Sequence, residues 1–217
     1  MKTFIILTLF PEIFDGFLKA SLVRRATKKQ IIKINIVNLR FFGLGTRKQV
    51  DDRPYGGGPG MILKVDVLDN AIQSIKQKYP GAKTILLDPK GKIFSQQKAK
   101  QLAGNMQDLI IICGRYEGFD ARIDKLVDEK ISIGKFILNG GEVASMVIVE
   151  TTARLLPNFL GKKEALENES FNENNLEHPQ YTRPEIYQKM KVPKILLSGD
   201  RQKITNWQKN HMCPPQN

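Results

Sequence analysis

Residues 50–61, VDDRPYGGGPGM, rule out regular structure at one place in the chain, because residues 54–60 hold four glycines and two prolines. Glycine gives up the most conformational freedom on folding and proline removes a backbone donor, so neither a helix nor a strand interior suits the run. Such a sequence serves where bare backbone must come close to something. Asp51, Asp52 and Arg53 place charge at its mouth and Tyr55 adds an aromatic ring. A flexible connector would be richer in serine. The run reads as a shaped binding loop, since long structured loops in compact domains are usually functional.

The chain has 217 residues, 41% of them hydrophobic, enough for one large domain or one domain with a small appendage. Two cysteines, Cys113 and Cys213, cannot make a disulfide framework, which points to a reducing cytoplasm. Residues 3–10 are apolar, but Pro11 and Glu12 interrupt them before any small-residue cleavage site. No apolar run is long enough to span a bilayer, so a cytoplasmic protein without membrane partners is expected. Lys and Arg number 34 against 22 Asp and Glu, a formal charge of +12. That excess favours a polyanionic partner, nucleic acid first. Lysine outnumbers arginine, and Ile and Asn are frequent, so genome composition is a competing source of the charge. The pairs Arg24–Arg25, Lys28–Lys29, Arg47–Lys48 and Lys162–Lys163 speak for nucleic acid.

Hydrophobic periodicity predicts strands over residues 3–10, 31–39, 83–87 and 108–113, with an extended stretch over 131–138 broken at Gly134. Helices are predicted after Pro11 through Val23, over 65–79, over 95–105 and over 142–156. Strands alternating with helices imply an α/β fold with a mostly parallel sheet. From residue 161 to about 184 the periodicity vanishes, which reads as a linker. A short apolar piece at 195–197 and a polar helix around 204–209 follow it.

Common catalytic signatures are absent. No G-x-G-x-x-G lies between a strand and a helix, no Walker lysine follows a glycine loop, and no serine nucleophile elbow occurs. His178 and His211, the two histidines, lack metal-ligand spacing to a cysteine pair, so no metal site is expected. Three turns remain, each after an apolar strand: Leu86-Leu87-Asp88-Pro89, residues 113–118 (CGRYEG), and Ile133-Gly134 through Leu138-Asn139-Gly140-Gly141. Ligands of open α/β sheets bind beyond the carboxyl ends of strands, where three such turns would cradle a flat polar molecule.

DDRPYGGGPGM, CGRYEG, SIG-x-x-x-L-x-GGE and HPQYTRPE, in this order and spacing, resemble the bacterial tRNA (guanine-N1)-methyltransferase family, TrmD. The similarity runs from LFPEIF at residues 9–14 to LSG at residues 197–199. The first motif is highly specific, and CGRYEG and the GGE segment are moderately so. The resemblance implies a SPOUT-type α/β domain over residues 1–160, with a parallel sheet and a deep C-terminal trefoil knot at about 84–142. It also implies an interdomain linker at 161–184 and a small, mainly helical, tRNA-contacting domain at 185–217.

Members of that family hold S-adenosylmethionine in the loops of the knot. By position the role falls to Leu86, Leu87 and Pro89, then to Gly114, Tyr116, Glu117 and Gly118. Ile133, Gly134, Lys135, Phe136, Ile137, Leu138, Gly140 and Gly141 complete the implied set. The implied reaction methylates N1 of guanosine 37 in tRNA when guanosine precedes it, in a homodimer whose subunits share each active site. N1 carries a proton, so a carboxylate should accept it and a cation should stabilise charge at O6. Arg154 matches the family's arginine for the second task. Asp51, with Gly58 and Gly60, is the implied contact to a flipped guanine; His178, Tyr181 and Arg183 are implied to order the linker against tRNA. Magnesium is a further cofactor of some members, although no carboxylate cluster defines a site.

Three departures stand out. The family's Asp-Ser-Phe reads Glu169-Ser170-Phe171 here, which makes Glu169 the implied base with its carboxylate one methylene further out. Ala144 stands where the family often has proline. The chain stops at Asn217, earlier than many relatives, so Lys189, Lys191, Lys194, Arg201 and Lys203 are expected to supply phosphate contacts. Two other readings stay open: a SPOUT-like RNA-binding protein weakened in catalysis, and a methyltransferase of the same class acting on ribosomal RNA.

Overall fold

A computed structural model describes residues 1–161, 169–171 and 175–214. The chain divides into two compact units, Met1–Gly161 and Lys162–Asn217.

The first unit is built on a five-stranded sheet in the order β2-β1-β6-β5-β7, with every pairing parallel. Its strands are β1 (Lys2–Thr8), β2 (Ile32–Asn38), β5 (Lys83–Ile93), β6 (Leu109–Ile112) and β7 (Glu129–Ser132). A separate antiparallel pair, β3 (Asp51–Asp52) and β4 (Ile62–Leu63), brackets the glycine loop. The helices are α1 (Asp15–Lys19), α2 (Ser21–Lys28), α3 (Val65–Lys78), α4 (Gln96–Gly104) and α5 (Glu142–Ala153).

The unbroken apolar runs of β1 and β6 follow from burial on both faces of the sheet. Phe4, Ile6, Leu109 and Ile111 point to one face, where Val23, Ala26, Leu102 and Ile148 cover them. Ile5, Leu7, Ile110 and Ile112 point to the other, under Leu68, Ile72 and Ile75 of α3. Each fully buried aliphatic side chain contributes roughly 1.5–3 kcal/mol, so the two layers together fix the register of the sheet.

Three boundaries differ from the sequence reading. The helix expected after Pro11 is a 3-10 turn (Pro11–Phe14) followed by α1 and α2, parted at Ala20, which is extended, and Ser21, whose φ is +47°. No proline or glycine marks that break. Strand β5 does not end at Leu87: residues 88–91 loop out, and both Leu87 and Lys92 pair with Ile131. The return brings Gly91 so near β7 that a Cβ there would lie 2.5 Å from the Ile131 nitrogen. Strand β7 ends at Ser132, whose hydroxyl donates to the Gly134 carbonyl at 2.9 Å and accepts from the Gly134 N–H at 3.2 Å, so the chain turns rather than staying extended to residue 138.

In the second unit, β8 (Ile186–Tyr187) pairs antiparallel with β9 (Met190–Lys191), and α6 (Lys194–Leu197) and α7 (Arg201–Asn210) follow. Asp200 caps α7 by accepting from the Gln202 and Lys203 amides at 3.1 Å. Leu176 bridges to Cys213, and the rings of His178 and Tyr181 lie 6.1 and 6.3 Å from that of Trp207 on α7.

Candidate active site

Because β5, β6 and β7 run parallel, the loops that leave their carboxyl ends gather on one edge of the sheet. There they enclose a cavity of about 440 Å³, within the range of small-molecule sites. Of the residues expected to bind a cofactor, Leu87, Pro89, Gly114, Tyr116, Glu117, Gly118, Ile133, Gly134, Phe136, Ile137, Leu138, Gly140 and Gly141 line it. Leu86 is instead buried in the core of the α3 face, and Lys135 is exposed and outside the lining. The alternation of side chains along β5 explains Leu86, since only Leu87 faces the cavity side.

Close backbone packing builds the walls. The Gly141 N–H donates to the Gly114 carbonyl at 3.0 Å, and a Cβ on Gly141 would sit 2.7 Å from the Cys113 Cα. A Cβ on Gly114 would meet the Phe119 ring at 2.9 Å. Tyr116 and Gly118 adopt φ of +59° and +105°, which folds the CGRYEG turn back towards β4.

Under this floor lies a charged group absent from the sequence reading. Glu142, 1% exposed, opens α5. Its Oε1 accepts from the Thr8 hydroxyl at 2.7 Å and from Arg115 Nε at 3.2 Å. Its Oε2 lies 3.0 Å from Arg115 Nη2. The Arg115 guanidinium also stacks 4.3 Å from the centroid of the Phe10 ring. Burial first, and the Glu142 carboxylate second, push the Cys113 thiol far above its ordinary range, which keeps it neutral. Nothing in the spacing of Thr8, Arg115 and Glu142 announces that they meet; the parallel sheet brings them together.

The glycine loop joins the rim of the cavity. Glu117 N–H donates to the Met61 carbonyl, Leu63 N–H to Gly118, and Asp120 N–H to Leu63, at 2.9, 2.9 and 3.0 Å. A Cβ on Gly60 would lie 2.5 Å from Glu117 Cγ. Gly56, Gly57, Gly58 and Gly60 all have positive φ, between +80° and +123°, which accounts for the composition of the loop. Asp51, half-buried, stands at its start in β3.

The remaining expected residues are spread over both units. Arg154 caps the carboxyl end of α5 in the first, half-buried, its N–H donating to Glu150 at 3.0 Å. Glu169 is half-buried in the second, as is His178, while Tyr181 and Arg183 are exposed. Among the described residues, no group of three or more His, Cys, Asp or Glu gathers where a metal ion could be held. Among them, too, no helix is long and apolar enough to cross a membrane.

Comparison with known proteins converges on one family. The family model described as tRNA (Guanine-1)-methyltransferase TrmD matches residues 1–214. The tRNA (guanine-N(1)-)-methyltransferase of Desulfatibacillum aliphaticivorans is 46% identical over 94% of this chain and 78% of its own length. The enzyme of the same name from Carboxydothermus hydrogenoformans is 47% identical over 94% of this chain and 80% of its own. A third, from Mycoplasma mycoides, is 45% identical over 94% and 84%. With its sheet, its cavity and its glycine loop, the chain belongs to the tRNA (guanine-1)-methyltransferase family, TrmD.

Proposed function

We propose that the protein transfers a methyl group from S-adenosylmethionine to N1 of guanosine 37 in tRNAs with guanosine at position 36. The observation that carries this reading is the meeting of three strand-end loops and the glycine loop around one cavity. The cavity suits the donor: Leu87, Ile133 and Phe136 offer apolar walls, and Gly114, Gly118, Gly134 and Gly140 leave stretches of the wall as bare backbone. When bound, the donor supplies an electrophilic methyl group on a sulfonium.

The chain's own residues do the rest. Asp51 and the glycine loop hold the flipped guanine. Glu169 accepts the N1 proton, freeing the ring lone pair to take the methyl group as the carbon–sulfur bond breaks to leave a thioether. Arg154 stabilises the negative charge that develops at O6. Phosphates of the tRNA bind Lys189, Lys191, Lys194, Arg201 and Lys203. The three loops belong to the trefoil-knotted part of a SPOUT domain, and the working form is a cytoplasmic homodimer whose subunits share each active site.

The test is mass spectrometry of a tRNA transcript incubated with the protein and S-adenosylmethionine, followed by mapping of the modified nucleotide. One methyl group on N1 of guanosine 37 is expected. No transfer, or transfer to ribosomal RNA alone, would overturn the assignment.

A further inference from the structure

Residues 40–49 carry Arg40, Arg47 and Lys48 and no acidic residue. Both ends of this loop are anchored, since Leu39 is 1% exposed and Val50 fully buried. Between them the adjacent phenylalanines part ways. Phe42 packs half-buried against the α3-face core, whereas Phe41 is 73% exposed with Lys48 Nζ 5.5 Å from its ring centroid. A single exposed aromatic is ordinary on a protein surface. This one is held in a loop that is closed on itself.

Leu44 and Gln49 exchange backbone hydrogen bonds of 2.9 Å in both directions, and Lys48 N–H donates to the Gly45 carbonyl at 3.1 Å. The turn is so tight that a Cβ on Gly43 would strike the Lys48 carbonyl. The Gln49 side-chain amide then donates to the Asp51 carbonyl at 2.9 Å. Asp51 pairs with Leu63, which is bonded to Gly118 and Asp120 at the cavity rim. The loop is thus tied to the cavity through one short hairpin, and the backbone that carries its aromatic ring and cations is held beside the glycine loop.

We infer that residues 40–49 form a docking surface for single-stranded RNA, with a base stacking on Phe41 and phosphates meeting Arg40, Arg47 and Lys48. The inference rests on the tRNA reading above and names the surface that grips nucleotides outside the methylated guanosine. An aromatic platform among cations is the chemistry that binds unpaired nucleotides, through stacking and counterion release. Three positive charges without an acid in the loop favour a polyanion over an apolar protein face.

The experiment measures binding of a tRNA transcript with guanosines at 36 and 37 by fluorescence anisotropy, over a range of salt and without methyl donor. Wild type is compared with Phe41→Ala, Phe41→Trp and the double variant Arg47→Ala/Lys48→Ala. Phe41→Ala is expected to weaken binding about tenfold while Phe41→Trp retains it. The double variant should reduce the slope of log affinity against log salt by roughly 1.5. Melting temperature and calorimetric affinity for S-adenosylmethionine should not change, because the three side chains are exposed and outside the cavity. Wild-type affinity and salt slope in both alanine variants would overturn the inference. So would an altered sedimentation mass with unaltered tRNA affinity, which would make the surface a protein contact. Methyl transfer is read in a separate assay, so a wild type that binds tRNA without methylating it would sink the enzymatic reading and leave this one standing.

Discussion

Arg115 and Glu142, 27 positions apart in sequence, form an ion pair directly beneath Gly140, where a Cβ would collide with Arg115 Nε and lie 2.5 Å from Glu142 Oε2. The pair sits at the amino end of α5, where the helix dipole favours a carboxylate. It is the charged foundation of the cavity floor, and its energetics are those of a buried pair: removing one partner strands the other.

Arg115→Met is therefore expected to cost about 3–5 kcal/mol, because Glu142 would stay buried without its cation. Arg115→Met/Glu142→Met should recover most of that loss. Urea denaturation of both variants checks this, and a double variant as unstable as the single one would show that packing rather than charge dominates.

The two glycines of the floor should differ. At Gly141 the obstacle is backbone, the Cys113 Cα and the Gly114 nitrogen, whereas at Gly140 the nearest atoms are side-chain atoms of Arg115 and Glu142. Gly141→Ala should lower calorimetric affinity for S-adenosylmethionine at least tenfold, an overpacking cost of about 1–3 kcal/mol. Gly140→Ala should lose less, since the ends of the Arg115 and Glu142 side chains can shift where backbone cannot.

Much of the candidate cavity is legible in the sequence. The glycine loop and the CGRYEG and GGE turns announced themselves by composition, because positive φ and close backbone approach leave few residue choices. Strand type and order of elements followed from apolar runs in β1 and β6. Three things were hidden. The Thr8–Glu142–Arg115 cluster depends on long-range pairing of β1 with β6, which no local pattern encodes. The loop-out at 88–91 looks in sequence like a strand end, since Asp88-Pro89-Lys90-Gly91 is turn chemistry wherever the chain goes next. Packing of His178 and Tyr181 on Trp207 was equally invisible, because a segment poor in aliphatic residues shows no periodicity.

Glu169→Gln should abolish methyl transfer to tRNA while leaving donor affinity unchanged, because the amide cannot take the N1 proton. Single-turnover kinetics beside calorimetry would separate the two effects. Glu169→Asp shortens the side chain by one methylene and is expected to retain transfer. Full activity in Glu169→Gln would remove this carboxylate from the reaction.

Lys2 provides a test through pH. It is fully buried, its ammonium donating to the Asn105 and Gln107 carbonyls at 2.7 Å. Burial lowers its pKa to about 8, against an opposing pull from Asp108. A folded pKa below the unfolded 10.5 means the native state releases this proton first. Its contribution to stability therefore rises from pH 7 towards pH 10, by at most roughly 3 kcal/mol. Denaturation at both pH values should show that rise reduced in Lys2→Met. An identical pH dependence in the two proteins would exclude the assignment.

The return of β5 to its starting partner has a consequence for how this enzyme can diversify. Since Leu87 and Lys92 both face Ile131, whatever lies between them is an appendix that the sheet does not count. Lengthening or shortening that appendix leaves every hydrogen-bonded row below it in step, yet reshapes the wall that Asp88, Pro89 and Lys90 present to the cavity. Selectivity at this wall can accordingly drift on its own, decoupled from the scaffold that keeps the protein folded.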